Sequence, residues 1–164
     1  MRNIIIGFAT PTKFKVGAAL IRWWINKPYS HVFVKYQDDQ GRAMVFQASH
    51  GIVHLCSQER FLSDNTIIKT YNTNISEVEY QQFRDFYYDK LGESYAYLDI
   101  AIIMMYDILT KAINIKSVPD APGYVCSSLI ASMLYNIKGI SCNKPLHLIR
   151  PDDIDMLLYN RSIL

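Results

Sequence analysis

The chain has 164 residues and a formal net charge of +2, the size of one domain, and with no basic block it makes a nucleic-acid partner unexpected. Half of the residues are hydrophobic and 13% are aromatic, ample for one well-packed core. Cys56, Cys126 and Cys142 cannot all pair, which favours a reducing compartment.

Met1 to Phe8 is too short for a secretory apolar region and runs directly into Thr10-Pro11-Thr12-Lys13. The most apolar stretch, Leu98 to Leu109, is broken by Asp99 and Asp107 and falls short of the roughly 20 residues a membrane span requires. The expectation is a cytoplasmic protein with no transmembrane segment, forming one domain over residues 1–164.

In chain order, Asn3 to Phe8 reads as a buried strand. Thr10 to Asn26 reads as a helix, with Phe14, Leu20, Ile21, Trp24 and Ile25 at helical spacing and Pro28 as its stop. Two strands follow, His31 to Tyr36 and Ala43 to Ser49, joined by the polar turn Gln37 to Arg42. Gly51 to Leu55 is a third strand or a continuation of the second, and Thr66 to Tyr71 is another strand. Ser76-Glu77-Val78-Glu79 carries the capping-box pattern, predicting a helix to about Leu91 with Gly92 beyond it. Its predicted core face is Val78, Phe83, Phe86 and Tyr87. Further helices are predicted over Leu98 to Ile113, over Cys126 to Ile137 and after Pro151, with a loop at Ser117 to Gly123. Neighbouring strands followed by mostly helix argue for an α+β fold with an antiparallel sheet packed against helices.

Cys126 carries the clearest chemical signal. Pro119, Pro122 and Gly123 break the backbone just before it, and the cysteine then opens an apolar helix. A helix N-terminus exposes unpaired N–H groups and partial positive charge, which favours the nucleophilic thiolate and can hold an oxyanion. An inert buried thiol is the plainer alternative. His31 begins the first hairpin strand and shares a face with Phe33 and Lys35. If Tyr36 stands opposite Arg42, Gln47 falls opposite His31 and points to the same side, where its amide oxygen can orient the ring through Nδ1–H. Cysteine, histidine and a polar orienter make up the logic of thiol hydrolases.

Five segments resemble a known family. Pro28-Tyr29-Ser30-His31-Val32-Phe33-Val34 is similar to the histidine strand of the permuted papain-like NlpC/P60 superfamily, in its YiiX-like and poxvirus G6-like branch. Val45-Phe46-Gln47-Ala48-Ser49-His50-Gly51-Ile52-Val53 resembles the next strand, and Gly92-Glu93-Ser94-Tyr95-Ala96-Tyr97 resembles the family's Gly-x-x-Tyr turn between helices. Tyr124-Val125-Cys126-Ser127-Ser128-Leu129 resembles the nucleophile segment, and Arg150-Pro151-Asp152-Asp153-Ile154 the closing element. The four main segments occur in the family's order and cover most of the chain. The resemblance implies a permuted papain-like fold, with histidine preceding cysteine in sequence. Where family members commonly place glutamate, this chain has Gln47, which can orient a ring but not neutralise an imidazolium by charge.

Other groupings compete. His50, His54 and Cys56 share strand parity but offer only three metal ligands, so no metal site is expected. His50 is the alternative to Gln47 as third catalytic residue. Trp24 fits the buried stripe of its helix, Ser127 and Ser128 read as helix-start residues, and Asp152, Asp153 and Asp155 read as a helix N-terminus. Ile100 to Tyr106 is either a core helix or the lining of an apolar groove for an acyl chain or a membrane surface.

The expected function is therefore a cysteine hydrolase or acyltransferase acting without a cofactor on an amide, ester or other acyl substrate, lipids included. Its machinery would be Cys126 as nucleophile, His31 as base, Gln47 as orienter and Tyr124 as oxyanion support. The alternative is a weak or inactive papain-like module that binds a lipid or a protein.

Overall fold

The computed structural model describes residues 1–94 and 124–162. The predicted helix over Leu98 to Ile113, the stretch Ile100 to Tyr106 and the loop Ser117 to Gly123 lie outside them. The described residues are α+β, with a five-stranded sheet and five α-helices.

The strands are β1 (Arg2–Pro11), β2 (His31–Gln37), β3 (Ala43–Ser49), β4 (Ile52–Ser57) and β5 (Asn65–Ile75). They lie in the order β4-β3-β2-β1-β5, and every neighbouring pair is antiparallel. The helices are α1 (Val16–Ile25), α2 (Gln58–Asp64), α3 (Glu77–Lys90), α4 (Cys126–Lys138) and α5 (Pro151–Ser162).

Strand alternation assigns the two faces of the sheet. On one face Ile4, Ile6, Phe8, Val32, Val34, Phe46, Ala48 and Val53 are buried against a helical layer. That layer supplies Tyr80, Phe83, Phe86 and Tyr87 from α3, Leu129, Ile130 and Met133 from α4, and Ile154 and Leu158 from α5. Each large side chain so buried contributes roughly 1.5–3 kcal/mol before chain entropy is charged against it. The other face carries a smaller cluster of Ala9, Phe33, Val45 and Phe61, the last contributed by α2.

Local chemistry accounts for the boundaries. Ser76 accepts from the Glu79 N–H while the Glu79 carboxylate accepts from the Ser76 N–H, completing the capping box that the sequence predicts. Val78 is exposed and Tyr80 is buried in its place, because α3 turns its Tyr80, Phe83 and Tyr87 row toward Tyr36 and Phe46. Helix α2 was not expected from the sequence; Ser57 caps it by accepting from the Arg60 N–H at 3.2 Å. The predicted helix from Thr10 begins only at Val16, because β1 pairs with β5 as far as Pro11. Gly51 to Leu55 resolves as a separate strand: His50 and Gly51 take positive φ, the conformation of a tight two-residue hairpin turn.

Asp155 ties α5 to the sheet. Its carboxylate accepts from Tyr29 Oη, Lys69 Nζ and Tyr71 Oη, each at 2.6 Å. Burial opposes its charge, but these three donors outweigh it and hold the pKa below the ordinary aspartate value.

Candidate active site

His31 and Gln47 meet on the face of the sheet that α2 covers. Strand β2 pairs with β3 through Val34 opposite Phe46 and Tyr36 opposite Met44, two residues displaced from the register expected from the sequence. An even displacement keeps side chains on their original face, so Gln47 still points with His31, now from a diagonal position. His31 Nε2 and Gln47 Oε1 are 2.7 Å apart. The expected bond through Nδ1 is thus made through Nε2. With the amide oxygen as acceptor, Nε2 carries the proton and Nδ1 is the basic nitrogen.

The ring's environment is apolar. It lies 6.5 Å from the Phe33 ring and 6.4 Å from Phe61. Burial pushes the His31 pKa down to about 4; the Gln47 hydrogen bond opposes this, and His54 and His50 add to it. His31 is therefore neutral at pH 7.

The row continues into β4. His54 stands directly opposite Gln47, and Cys56 opposite Val45. Gln47 Nε2 donates to Cys56 Sγ at 3.5 Å, and Ser49 Oγ lies 2.8 Å from His54 Nε2 and 3.1 Å from His50 Nδ1. Burial pushes the Cys56 thiol pKa up and the His54 pKa down. Sequence reasoning treated His54 only as a metal candidate. Counting alternation through the hairpin from Gln47 would have placed it beside the orienter. Among the described residues no group of three or more His, Cys, Asp or Glu is arranged to hold a metal ion.

Cys126 is the first residue of α4, buried, on the helical layer that packs against β2 and β3. The two serines after it serve the backbone. Ser127 Oγ donates to the Ile149 carbonyl, and Ser128 Oγ bonds both the Val125 N–H and the Val125 carbonyl, at 3.0 and 3.1 Å. The positive end of the α4 dipole lies at this first turn. Cys126 borders a cavity of about 20 Å³ together with Ser30, Ile21, Trp24, Arg150 and Pro151. Arg150 pairs with Asp152 at 2.7 Å and lies 5.3 Å from the Trp24 ring. Trp24 is partly buried, and its Nε1–H has no hydrogen-bond partner among the described residues.

Tyr124 is joined to the turn after α3: its N–H donates to the Ser94 carbonyl at 3.2 Å, and Lys90 Nζ lies 5.4 Å from its ring. That turn is pinned to β4, with Val53 N–H donating to Glu93 O and Gly92 N–H to Val53 O.

The four expected residues thus fall into two groups. His31 and Gln47 are bonded to each other on the α2 face, whereas Cys126, with Tyr124 just before it, begins the helix on the opposite face. Ser30 links the groups, since it borders the Cys126 cavity and immediately precedes His31. No protein-family model matches the chain, and no curated protein matches it.

Proposed function

We propose that the protein is a cysteine hydrolase or acyltransferase of permuted papain-like type, acting on an amide, ester or thioester. The observation that carries this reading is the 2.7 Å contact between His31 Nε2 and Gln47 Oε1, which leaves Nδ1 as the basic nitrogen of a residue that directly follows Ser30 of the Cys126 cavity.

In the reaction His31 Nδ1 accepts the thiol proton as Cys126 Sγ bonds to the carbonyl carbon, and the carbonyl electron pair moves onto oxygen. The Cys126 N–H and the Tyr124 hydroxyl stabilise that oxyanion. Collapse of the intermediate breaks the bond to the leaving group, which takes the proton back from His31, and an acyl-thioester remains. Water or another acceptor, deprotonated by His31, then releases the acyl group. Because His31 is neutral at pH 7 and Gln47 carries no charge, proton transfer accompanies attack rather than preceding it as a stable thiolate–imidazolium pair. Nδ1 and Sγ must come within hydrogen-bond reach around the end of β2 for this to occur.

A second reading is favoured by the depressed His31 pKa and by the separation of His31 from Cys126 across the sheet. It is a binding module that keeps the fold without the reaction.

Iodoacetamide labelling at pH 7.5, followed by peptide mass mapping, separates the two. The hydrolase requires Cys126 to label at least about tenfold faster than Cys56 and Cys142, whose thiols burial holds protonated, and His31→Ala to abolish the difference. Uniformly slow labelling of all three would sink it. Screening acyl-peptides and lipid esters would then identify the acyl group transferred.

A further inference from the structure

Helix α1 turns an apolar stripe to the outside. Val16, Leu20 and Trp23, spaced four and three residues apart, lie on one side of it and are 65%, 49% and 74% exposed. Phe14, in the segment leading into the helix, is 79% exposed. The opposite side of α1 does the packing: Ile25 is buried, and Ile21 and Trp24 lie against the main core. A helix that is apolar on both sides is expected to be covered on both.

The charge around this stripe has one sign. Between Thr10 and Pro28 the chain has Lys13, Lys15, Arg22 and Lys27 and no acidic residue. The three lysines are exposed, whereas Arg22 is drawn inward by donating to Thr10 Oγ1 at 2.6 Å. Asp64, whose carbonyl accepts from the Thr12 N–H, has its carboxylate 3.7 Å from Arg60. Apolar and aromatic side chains framed by lysines match the interface of a bilayer with an anionic surface, where aromatic rings sit at headgroup depth and lysines meet lipid phosphates and carboxylates.

We propose that α1 and the segment from Phe14 form a membrane-docking surface for anionic bilayers. Phe14, Leu20 and Trp23 enter the headgroup–acyl boundary, and Lys13, Lys15 and Lys27 hold the lipid headgroups. Docking holds whether or not Cys126 is a nucleophile. Because Ile21 and Trp24, on the inner side of the same helix, border the Cys126 cavity, a docked protein would hold that cavity close to the bilayer surface.

The test uses the full chain and vesicles of phosphatidylcholine, alone or with about one-third phosphatidylserine. Flotation should recover the protein with the anionic vesicles at least about tenfold better than with neutral ones. Trp23→Ser combined with Phe14→Ser should remove most of that binding, and Lys13→Glu combined with Lys27→Glu should remove the preference for phosphatidylserine, each with an unchanged thermal melt. In Trp24→Phe, Trp23 is the sole tryptophan; its emission should be open to acrylamide in the free protein and shift to the blue with anionic vesicles. Several results overturn the proposal: no recovery with anionic vesicles, binding indifferent to both double variants, a Trp23 indole already shielded in the free protein, or a dimer in solution that Trp23→Ser dissociates. If the labelling difference at Cys126 fails while flotation succeeds, the hydrolase reading falls and docking stands.

Discussion

Gln47 Oε1 lies 2.7 Å from His31 Nε2 although the two are not directly opposite residues of β2 and β3. The amide reaches diagonally across the ladder, with its Nε2 on Cys56 Sγ at 3.5 Å, so the ring and the orienter are held by one side chain with both ends engaged.

Replacing that neutral partner by a charged one tests its role. Gln47→Glu should raise the His31 pKa from about 4 toward the ordinary histidine value, because an adjacent carboxylate favours the imidazolium. Under the hydrolase reading Cys126 alkylation should then accelerate, whereas Gln47→Ala should slow it. NMR titration of the His31 ring alongside iodoacetamide labelling checks both; a Glu variant with an unmoved His31 titration would show that the contact does not control the ring.

Stability should depend on pH through the same ring. The folded pKa lies below the unfolded value of about 6.5, so the folded state binds fewer protons in that interval. Above about pH 6.5 both states are neutral and the contribution is complete; it falls as pH drops from 6.5 toward 4, by roughly 3 kcal/mol in all. Urea denaturation at pH 8, 6 and 4.5 should show this loss, as those approximate points bracket the interval. His31→Asn should flatten the profile, leaving a smaller slope from His54, which burial shifts in the same direction.

Asp155 behaves with the opposite sign. Its folded pKa is depressed by Lys69, Tyr29 and Tyr71, so its stabilisation is present above the unfolded aspartate pKa and is lost as pH falls through the folded one. Asp155→Ala strips three donors of their acceptor and should cost about 2 kcal/mol or more, measured by urea denaturation at neutral pH. Lys69→Met should cost less than Asp155→Ala, since the lysine is partly exposed and is only one of the three donors.

Gly7 faces Phe33 across β1 and β2, and a Cβ on residue 7 would run into the Phe33 ring. That ring is fully buried and packed 4.3 Å from Phe61, so it has no room to give way. Gly7→Ala should destabilise the fold by about 1–3 kcal/mol. Adding Phe33→Leu should recover part of that loss, read as a thermal midpoint intermediate between Gly7→Ala and the native chain.

Local patterns were legible where the physics is local. The Ser76 capping box, the stop near Gly139 and the strands around His31 and Gln47 depend on neighbours a few residues away, and they stand within a residue or two of expectation. In α1 the helical spacing of Phe14, Leu20, Ile21, Trp24 and Ile25 does not select a buried side; contact with the sheet does, burying Ile25, packing Ile21 and Trp24 and leaving Phe14 and Leu20 exposed. Val78 lost its expected place to Tyr80 for the same reason.

The sequence by itself determined the α+β character, the helix start at Cys126 and the shared face of His31 and Gln47, because these follow from short-range backbone preferences and the period of two along a strand. The tertiary structure alone decided that Gln47 meets Nε2 rather than Nδ1 and that His54 joins the same row. It also decided that Cys126 begins a helix on the opposite face, with Ser30 as the link. Register, ring orientation and the layer a helix joins are settled by packing among residues distant in sequence, which no local pattern encodes.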